Sequence, residues 1–380
     1  MGTRLRLKKI LVLALLACAL AGLWWRYAFP VGQAYYLAGN DFLTDYCAGK
    51  LVFTGDLYNP ERMLATQQAA AGMSSTTLRY IRLPFRALFY WPLAQLPFRQ
   101  ACAVWQLLSI GALIGFLALW RPPAPKNSIL AAAAFLPPLI VVFNGQDLNF
   151  VLLWIALAAF DLRHDRPVRA GLWFSLCSVK FHLFLLLPVL ILGRRMWRFG
   201  SGLGIGGTVL LAISLLMEGP AWLLRYPSII TDSRVNPAAD RMPTLHAFLT
   251  YFHAPLWVEI LGVALIALCA LVIIRSVELP YALGVVLAAG PLLAVHAYLS
   301  DCSLLLPAGL ALFTQTRFLL VRVLVVAVMC PPVLDPMKDG YPGSLLVPGL
   351  LLALFAAMTY EAMVLRRAPA VQPADALAAG

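Results

Sequence analysis

The chain has 380 residues, 62% of them hydrophobic and only 12% charged, against roughly 25% charged in a soluble domain. That balance excludes a soluble globular enzyme and defines a polytopic membrane protein. The net charge of +12 does not call for nucleic acid, because Lys and Arg fall mainly in short connections between apolar runs, where they hold loops on the cytoplasmic side and attract anionic lipid.

In chain order, Arg4, Arg6, Lys8 and Lys9 precede an apolar run from Ile10 to about Phe29 that ends in Trp24, Trp25 and Tyr27. This reads as a signal anchor with its N-terminus inside, since no small-residue cleavage site follows the run. Residues 30–99 form a long outer segment. Its apolar patches, Ala34 to Leu37 and Leu51 to Phe53, are too short to span and read as interfacial helices. The segment opens on NDFLTDYCAGKLVFTGDLYNP, Asn40 to Pro60, which places Asp41 and Asp45 just beyond a span. Gly55-Asp56 and Asn59-Pro60 are turn signals. Leu83 to Pro97 is apolar but broken by Pro84, Pro92 and Pro97, which suits a short re-entrant or interfacial piece. Arg79, Arg82 and Arg86 recur at helical spacing ahead of it and face either phosphate or lipid headgroups.

A span from about Ala101 to Trp120 returns inside at Arg121 and Lys126, another from about Ile129 leads out to Asn144-Gly-Gln-Asp147, and the next ends at Arg163 to Arg169. Ala170 to Leu192 has the length of one span but is basic on both flanks, with Arg194, Arg195 and Arg198 following. The positive-inside rule therefore predicts a hairpin of two short helices meeting around Lys180-Phe181-His182. With that hairpin, spans near 201–217, 257–274, 280–295, 302–316, 319–333 and 345–364 keep Arg275, Arg317, Arg366 and Arg367 inside. The count is about twelve crossings. It gathers Asp41, Asp45, Asn144 to Asp147, Glu218 to His246 and His296 to Asp301 on one outer face. The domain reading is a basic cytoplasmic N-terminus over 1–9, one membrane domain over 10–367 and a disordered Ala/Pro-rich tail over 368–380. Within the membrane domain, outer loops lie at 30–99 and 218–256.

Carboxylates on that face, an amide-rich turn, the His296-Tyr298-Asp301 cluster and the cations Lys180, Arg82 and Arg86 suit group transfer from a lipid phosphate. A carboxylate base takes a proton from an acceptor hydroxyl, and cations hold the charge developing on the departing phosphate. An ionisable group inside an apolar hairpin, such as Lys180, marks function unless it snorkels to the interface. The other roles open to these residues are structural: helix cap or Lys50 partner for Asp45, a backbone hydrogen bond for His296, an N-cap for Asp301 and a plain turn for Asn144-Gly145. Gln146 and Asn149 read as sugar or backbone contacts, while His182 and Tyr58 carry less weight.

The seven cysteines are scattered without CxxC spacing, which speaks against a disulfide framework or a thiolate metal site. Only Cys47 and Cys302 could meet on the outer face. No set of acids and histidines has metal-ligand spacing, so no cofactor is expected, although a loosely held divalent cation stays compatible.

The pattern D-F-x3-Y-x-A-G-x5-G-x-L-Y (Asp41, Phe42, Tyr46, Ala48, Gly49, Gly55, Leu57, Tyr58) resembles the first outer loop of family 87 glycosyltransferases, polyprenyl-phosphate-dependent α-mannosyltransferases. FYWPLAQLP (Phe89 to Pro97), NGQDLNFVLL (Asn144 to Leu153), Arg166 to Pro188, MPTLHAFL (Met242 to Leu249) and HAYLSDCSLLLP (His296 to Pro307) follow in the family's order. The resemblance implies an all-α GT-C-type bundle of about 11–12 transmembrane helices whose first outer loop carries interfacial helices. It also implies an inverting hexosyltransferase of a bacterial inner membrane, with mannose as the expected sugar, a polyprenyl-phosphate donor and a lipid or glycan acceptor. Asp41 matches the family's catalytic aspartate, with Asp45 second. Lys180, His296, Arg82 and Arg86 are assigned to the donor phosphate, and Tyr46, Tyr58, Gln146, Asn149, Tyr298 and Asp301 to sugar and acceptor. A transporter or lipid-carrier flippase shares the hydropathy but would spread its ionisable residues along a midplane path.

Overall fold

The computed structural model describes residues 21–22, 25–26, 41–72, 79–120, 135–232 and 239–367, and all the secondary structure in them is helical. The expected N-terminal anchor, the Ala34 to Leu37 patch, the connection holding Arg121 and Lys126, and the tail lie essentially outside these residues. Four helices are long and apolar enough to cross a bilayer: α3 (Phe98–Leu119), α8 (Trp197–Glu218), α11 (Leu256–Ile274) and α15 (Leu346–Arg367). Each coincides with an expected span. A helix of 22 residues reaches about 33 Å, enough for the hydrocarbon core.

Among the described residues, several of the other expected spans form shorter or bent helices. α5 (Leu148–Arg163) has 16 residues, α12 (Leu279–Leu293) has 15, and α13 (Leu305–Gln315) and α14 (Leu319–Met329) have 11 each. The described residues provide four full-length spans, or six when each sharply bent helix pair is taken as one.

One bent pair is the expected hairpin. Helix α6 (Pro167–Ser175) runs into a 3-10 stretch, Leu176–Phe184, and the chain then folds back into α7 (Leu187–Arg194) at 113°. The reversal falls at Leu185-Leu186 rather than at Lys180 to His182. Pro188 explains the position: proline fits the first turn of a helix and fixes where α7 begins. Lys180 makes a smaller break of its own, with φ −132° and ψ 44° inside the 3-10 stretch.

Helix α6 lies directly against α8. A Cβ at Gly202 would land on the Val168 carbonyl oxygen, and one at Gly171 on that of Phe199. Small residues permit this close backbone approach where lipid offers no hydrophobic gain on helix association. Helix α12 is buried from Tyr281 to Leu293, the pattern of a helix apolar all round. It forms the centre of the main core and delivers the chain to His296 through Asp301.

A second core lies beneath the first loop. There α1 (Asp41–Lys50) buries every residue from Phe42 to Gly49. Phe42 packs on Phe98 and Trp105 at ring separations of 5.9 and 6.0 Å, fastening α1 to the start of α3. Two expectations for this loop change. Leu51 to Phe53 form a turn, with Phe53 at φ 63°, and the helix is the preceding segment. Arg79, Arg82 and Arg86 do not share a helix, because the chain is irregular until Pro84 begins a 3-10 turn ending at Arg86. Cys47 and Cys302 are both free and buried.

The helix directions give the bundle two polar ends. At one end Asp161 receives Arg169 and the Trp173 indole, and Glu361 accepts from Tyr281, Thr316 and the Arg317 amide. Following α5 backwards from Asp161, and α12 forwards from Tyr281, leads to the other end.

Candidate active site

Asp41 opens α1 half-buried, in the first turn, where the helix dipole favours a negative charge. Helix α4 (Leu136–Asn144) ends on Gly145, whose left-handed φ of 69° reverses the chain. The reversal turns two amides onto Asp41: Asn144 Nδ2 donates to Oδ2 at 3.2 Å, and Gln146 Nε2 donates to the same oxygen.

Asp45 lies one helical turn after Asp41 but is buried, and its partner is neither a cap nor Lys50. Arg86 Nη2 donates to Asp45 Oδ2 at 2.7 Å, and Arg86 Nε to Asp147 Oδ2 at 2.6 Å. Burial pushes the Asp45 carboxyl up to about 6, against the pull of Arg86. Asp147 is held below its ordinary value: burial opposes ionisation there, but Arg86, Lys180 and Arg82 outweigh it.

Across the site, Lys180 Nζ donates to Asp301 Oδ1 at 2.9 Å, and both side chains are buried. The Tyr298 amide donates to the other Asp301 oxygen at 2.9 Å. Burial raises the Asp301 carboxyl, but Lys180 and His182 more than reverse this and hold it at about 2. The His296 ring stacks on His182 with centroids 4.7 Å apart. Burial, followed by the positive charge of Arg82, depresses His296 to about 4, so it is neutral at pH 7. Arg82 is half-buried and its guanidinium meets no carboxylate among the described residues. Its charge nevertheless reaches Asp45, Asp147, His296 and Tyr298. Tyr298, pushed up to about 12 by burial, feels both Asp41 and Asp301 and so lies between the two halves of the site.

The structure thus brings together Asp41, Gln146, Arg82, Lys180, His296, Tyr298 and Asp301. It places four other expected residues differently. Arg86 is 1% exposed and committed to two carboxylates, which leaves it no open approach to a donor phosphate. Tyr46 is buried in the second core and donates to the Leu96 carbonyl. Asn149 is fully buried and donates to Ser109 and to the Pro138 carbonyl. Tyr58 donates to the Arg82 carbonyl, so it positions Arg82 rather than facing the cluster directly. The expected link between Asp301 and His296 is replaced by the Lys180 pair.

Asp147 and Tyr226 were not expected in these roles. Asp147 could be found as the one acid in the outer turn Asn144 to Asp147. Tyr226 donates to the Ile81 carbonyl, beside Tyr58, and Arg79 is latched to Asp232 at 2.5 Å. No local sequence signal marks either contact.

An apolar cleft of about 400 Å³ lies against the bent pair, lined by Phe174, Cys177, Phe181, Phe184, Leu187 and Leu192. Its wall therefore belongs to the same segment that carries Lys180 and His182 into the polar cluster.

Among the described residues, a helical bundle with candidate membrane spans holds a compact, mixed-charge cluster beside an apolar cleft, which places the chain in the class of polytopic membrane proteins. The sequence model of glycosyltransferase family 87 matches residues 83–305, more than half of the chain, and the chain belongs to that family. It is accordingly a membrane glycosyltransferase. The matched range contains Arg86, Gln146, Lys180, His296 and Asp301, whereas Asp41, Asp45 and Arg82 precede it. No curated protein and no solved structure matches the chain.

Proposed function

We propose that the chain transfers a hexose, mannose in the family's pattern, from a polyprenyl-phosphate donor to a lipid or glycan hydroxyl on the extracytoplasmic side of a bacterial inner membrane. The observation that carries this is the arrangement of Asp41 opposite Arg82, Lys180 and His296, next to an apolar cleft. Of the two acids of α1, Asp41 is half-buried and Asp45 is buried.

In the reaction the Asp41 carboxylate takes the proton of the acceptor hydroxyl as its oxygen attacks C1 of the hexose. The bond from C1 to the phosphate oxygen breaks, C1 inverts, and polyprenyl phosphate departs with the electron pair. Asn144 and Gln146 hold Asp41 through one oxygen, which orients the other toward the acceptor. The departing phosphate gains negative charge, which Arg82, paired with no carboxylate among the described residues, stabilises directly and the buried Lys180 ammonium stabilises through its field. Neutral His296 donates one ring N–H to it. The prenyl tail lies along Phe181 and Leu187 in the cleft. This chemistry uses the chain's own cations and needs no cofactor.

The positive-inside rule supports this orientation. Arg169, Arg275, Arg317 and Arg366 gather at the end opposite Asp41, which the positive-inside rule makes cytoplasmic.

The test is transfer of radiolabelled mannose from polyprenyl-phosphate mannose to a lipid extract by purified protein, comparing wild type with Asp41→Asn and Asp45→Asn. Loss of chemistry in Asp41→Asn with donor binding retained supports the reading. Full activity in that variant removes Asp41 as base, and an inactive wild type across several prenyl-linked sugars points to a carrier flippase instead.

A further inference from the structure

Arg86 closes a ring of contacts around Asp41. From Asp41 the ring passes through the Asn144 and Gln146 amides to the turn they share with Asp147, from Asp147 to Arg86, from Arg86 to Asp45, and along one turn of α1 back to Asp41. We propose that Arg86 is a positioning residue for Asp41: it clamps α1 and the Asn144 to Asp147 turn together, so that the amides meet the carboxylate. The proposal rests on the assignment of Asp41 as base.

Three observations carry it. Arg86 is among the largest side chains buried almost completely, so its guanidinium acts through neighbours rather than on substrate. Its two carboxylate partners sit on the two elements that must meet, Asp45 one turn from Asp41 and Asp147 one residue from Gln146. Its hydrogen bonds leave from different nitrogens, Nε to Asp147 and Nη2 to Asp45, with Nη2 also 3.3 Å from the Tyr90 hydroxyl. A planar fork can make both contacts at once, whereas a lysine ammonium is a single point charge. Arg86 also separates carboxylates that would otherwise repel one another across the joint.

The test uses the full chain in detergent. Cryo-electron microscopy of Arg86→Gln, with an antibody fragment as fiducial, reads the geometry without substrate. The expected result is a Gly145 to Asp147 turn withdrawn from α1, with the Gln146 amide out of hydrogen-bonding reach of Asp41; an unmoved turn overturns the proposal. In the mannosyl transfer assay the same variant should lose about 100-fold in kcat, the scale of a displacement near 1 Å, while donor KM stays within about threefold. A raised donor KM with unchanged kcat would make Arg86 a phosphate ligand and overturn the proposal. Arg86→Lys should recover the melting temperature but less than about tenfold of the kcat, a split that a merely structural cation would not produce.

Should Arg86→Gln fail to fold, Asp147→Ala decides, because it cuts the ring while leaving the Arg86–Asp45 pair. It should show the same withdrawn turn and the same kcat loss, and unchanged values overturn the proposal. An inactive wild type would defeat the proposed reaction, while the microscopy would still decide the clamp.

Discussion

Lys180 and Asp301 stand 121 residues apart and meet at 2.9 Å, both side chains nearly inaccessible to solvent. The pair ties the broken 3-10 stretch of the hairpin to the loop that follows the central helix. Removing one partner strands the other charge, so Lys180→Met should destabilise the protein by about 3–5 kcal/mol. Lys180→Met with Asp301→Leu should recover much of that stability but not transfer activity. Denaturant unfolding in detergent checks the first outcome and the mannosyl transfer assay the second. A stable, active single variant would remove the pair from both roles.

The two acids of α1 should separate in kinetics. Asp41→Asn keeps the size and can still meet the amides, but it cannot take a proton, so kcat should fall by about 10²–10⁴. Its melting temperature should stay near wild type, because Asp41 is half-buried and its side-chain partners among the described residues are neutral amides. Asp45→Asn should instead shift the melting temperature, since it alters the buried pair with Arg86. Initial rates and thermal melts on the two purified variants check this, and the reverse pattern would exchange their roles.

Acid dependence of stability has two opposing contributors. Asp45 is raised from 3.8 to about 6, so its contribution is greatest below 3.8 and is lost as pH rises through 6. His296 is lowered from 6.5 to about 4, so its contribution is present above 6.5 and is lost as pH falls through 4. Between pH 4 and 6 the two slopes oppose each other. Relative to wild type, Asp45→Asn should therefore lose more melting temperature on acidification, and His296→Gln less. Melts from pH 7 to 4 check the differences, and parallel curves for all three proteins would show that neither group carries the shift.

Much of the site was legible because it is written in short polar interruptions of apolar runs. Asp41, Gln146, Lys180, His296 and Asp301 each break such a run, and helix parity alone gathers them at one end. Arg86 was not legible, because its spacing from Arg79 and Arg82 imitates a helix face that Pro84 prevents. Nor does composition reveal that its partners are Asp45 and Asp147, 41 and 61 residues away. Tyr46 and Asn149 sit in motifs beside the site, yet α1 and α5 turn them into the packing. Hydropathy does not register where a helix breaks, so the reversal expected at Lys180 to His182 falls instead at Leu185-Leu186.

The contact of α6 with α8 sets where the hairpin stands. Gly202→Ala would place a methyl on the Val168 carbonyl oxygen, which backbone displacement alone can relieve. The expected cost is about 1–3 kcal/mol, in the range of overpacked cores. Gly204→Ala, one helical face away with open space around it, should be neutral or slightly stabilising. Paired unfolding curves of the two variants check this, and equal effects would mean that α6 and α8 yield freely.

The cleft beside the hairpin gives the last expectation. Leu192 lines it and is 58% exposed, so Leu192→Arg adds a charge to the wall without opening the core. Each buried methylene of a prenyl tail contributes about 0.8 kcal/mol, so disturbing two or three of them should raise donor KM by at least about tenfold. A donor with a short prenyl chain that does not reach Leu192 should show little change, and kcat should stay near wild type because Asp41 and Lys180 are untouched. Steady-state kinetics with long-chain and short-chain prenyl-phosphate mannose separate the cases. An equal KM increase for both donors would place the tail elsewhere and attribute the effect to distortion of α7.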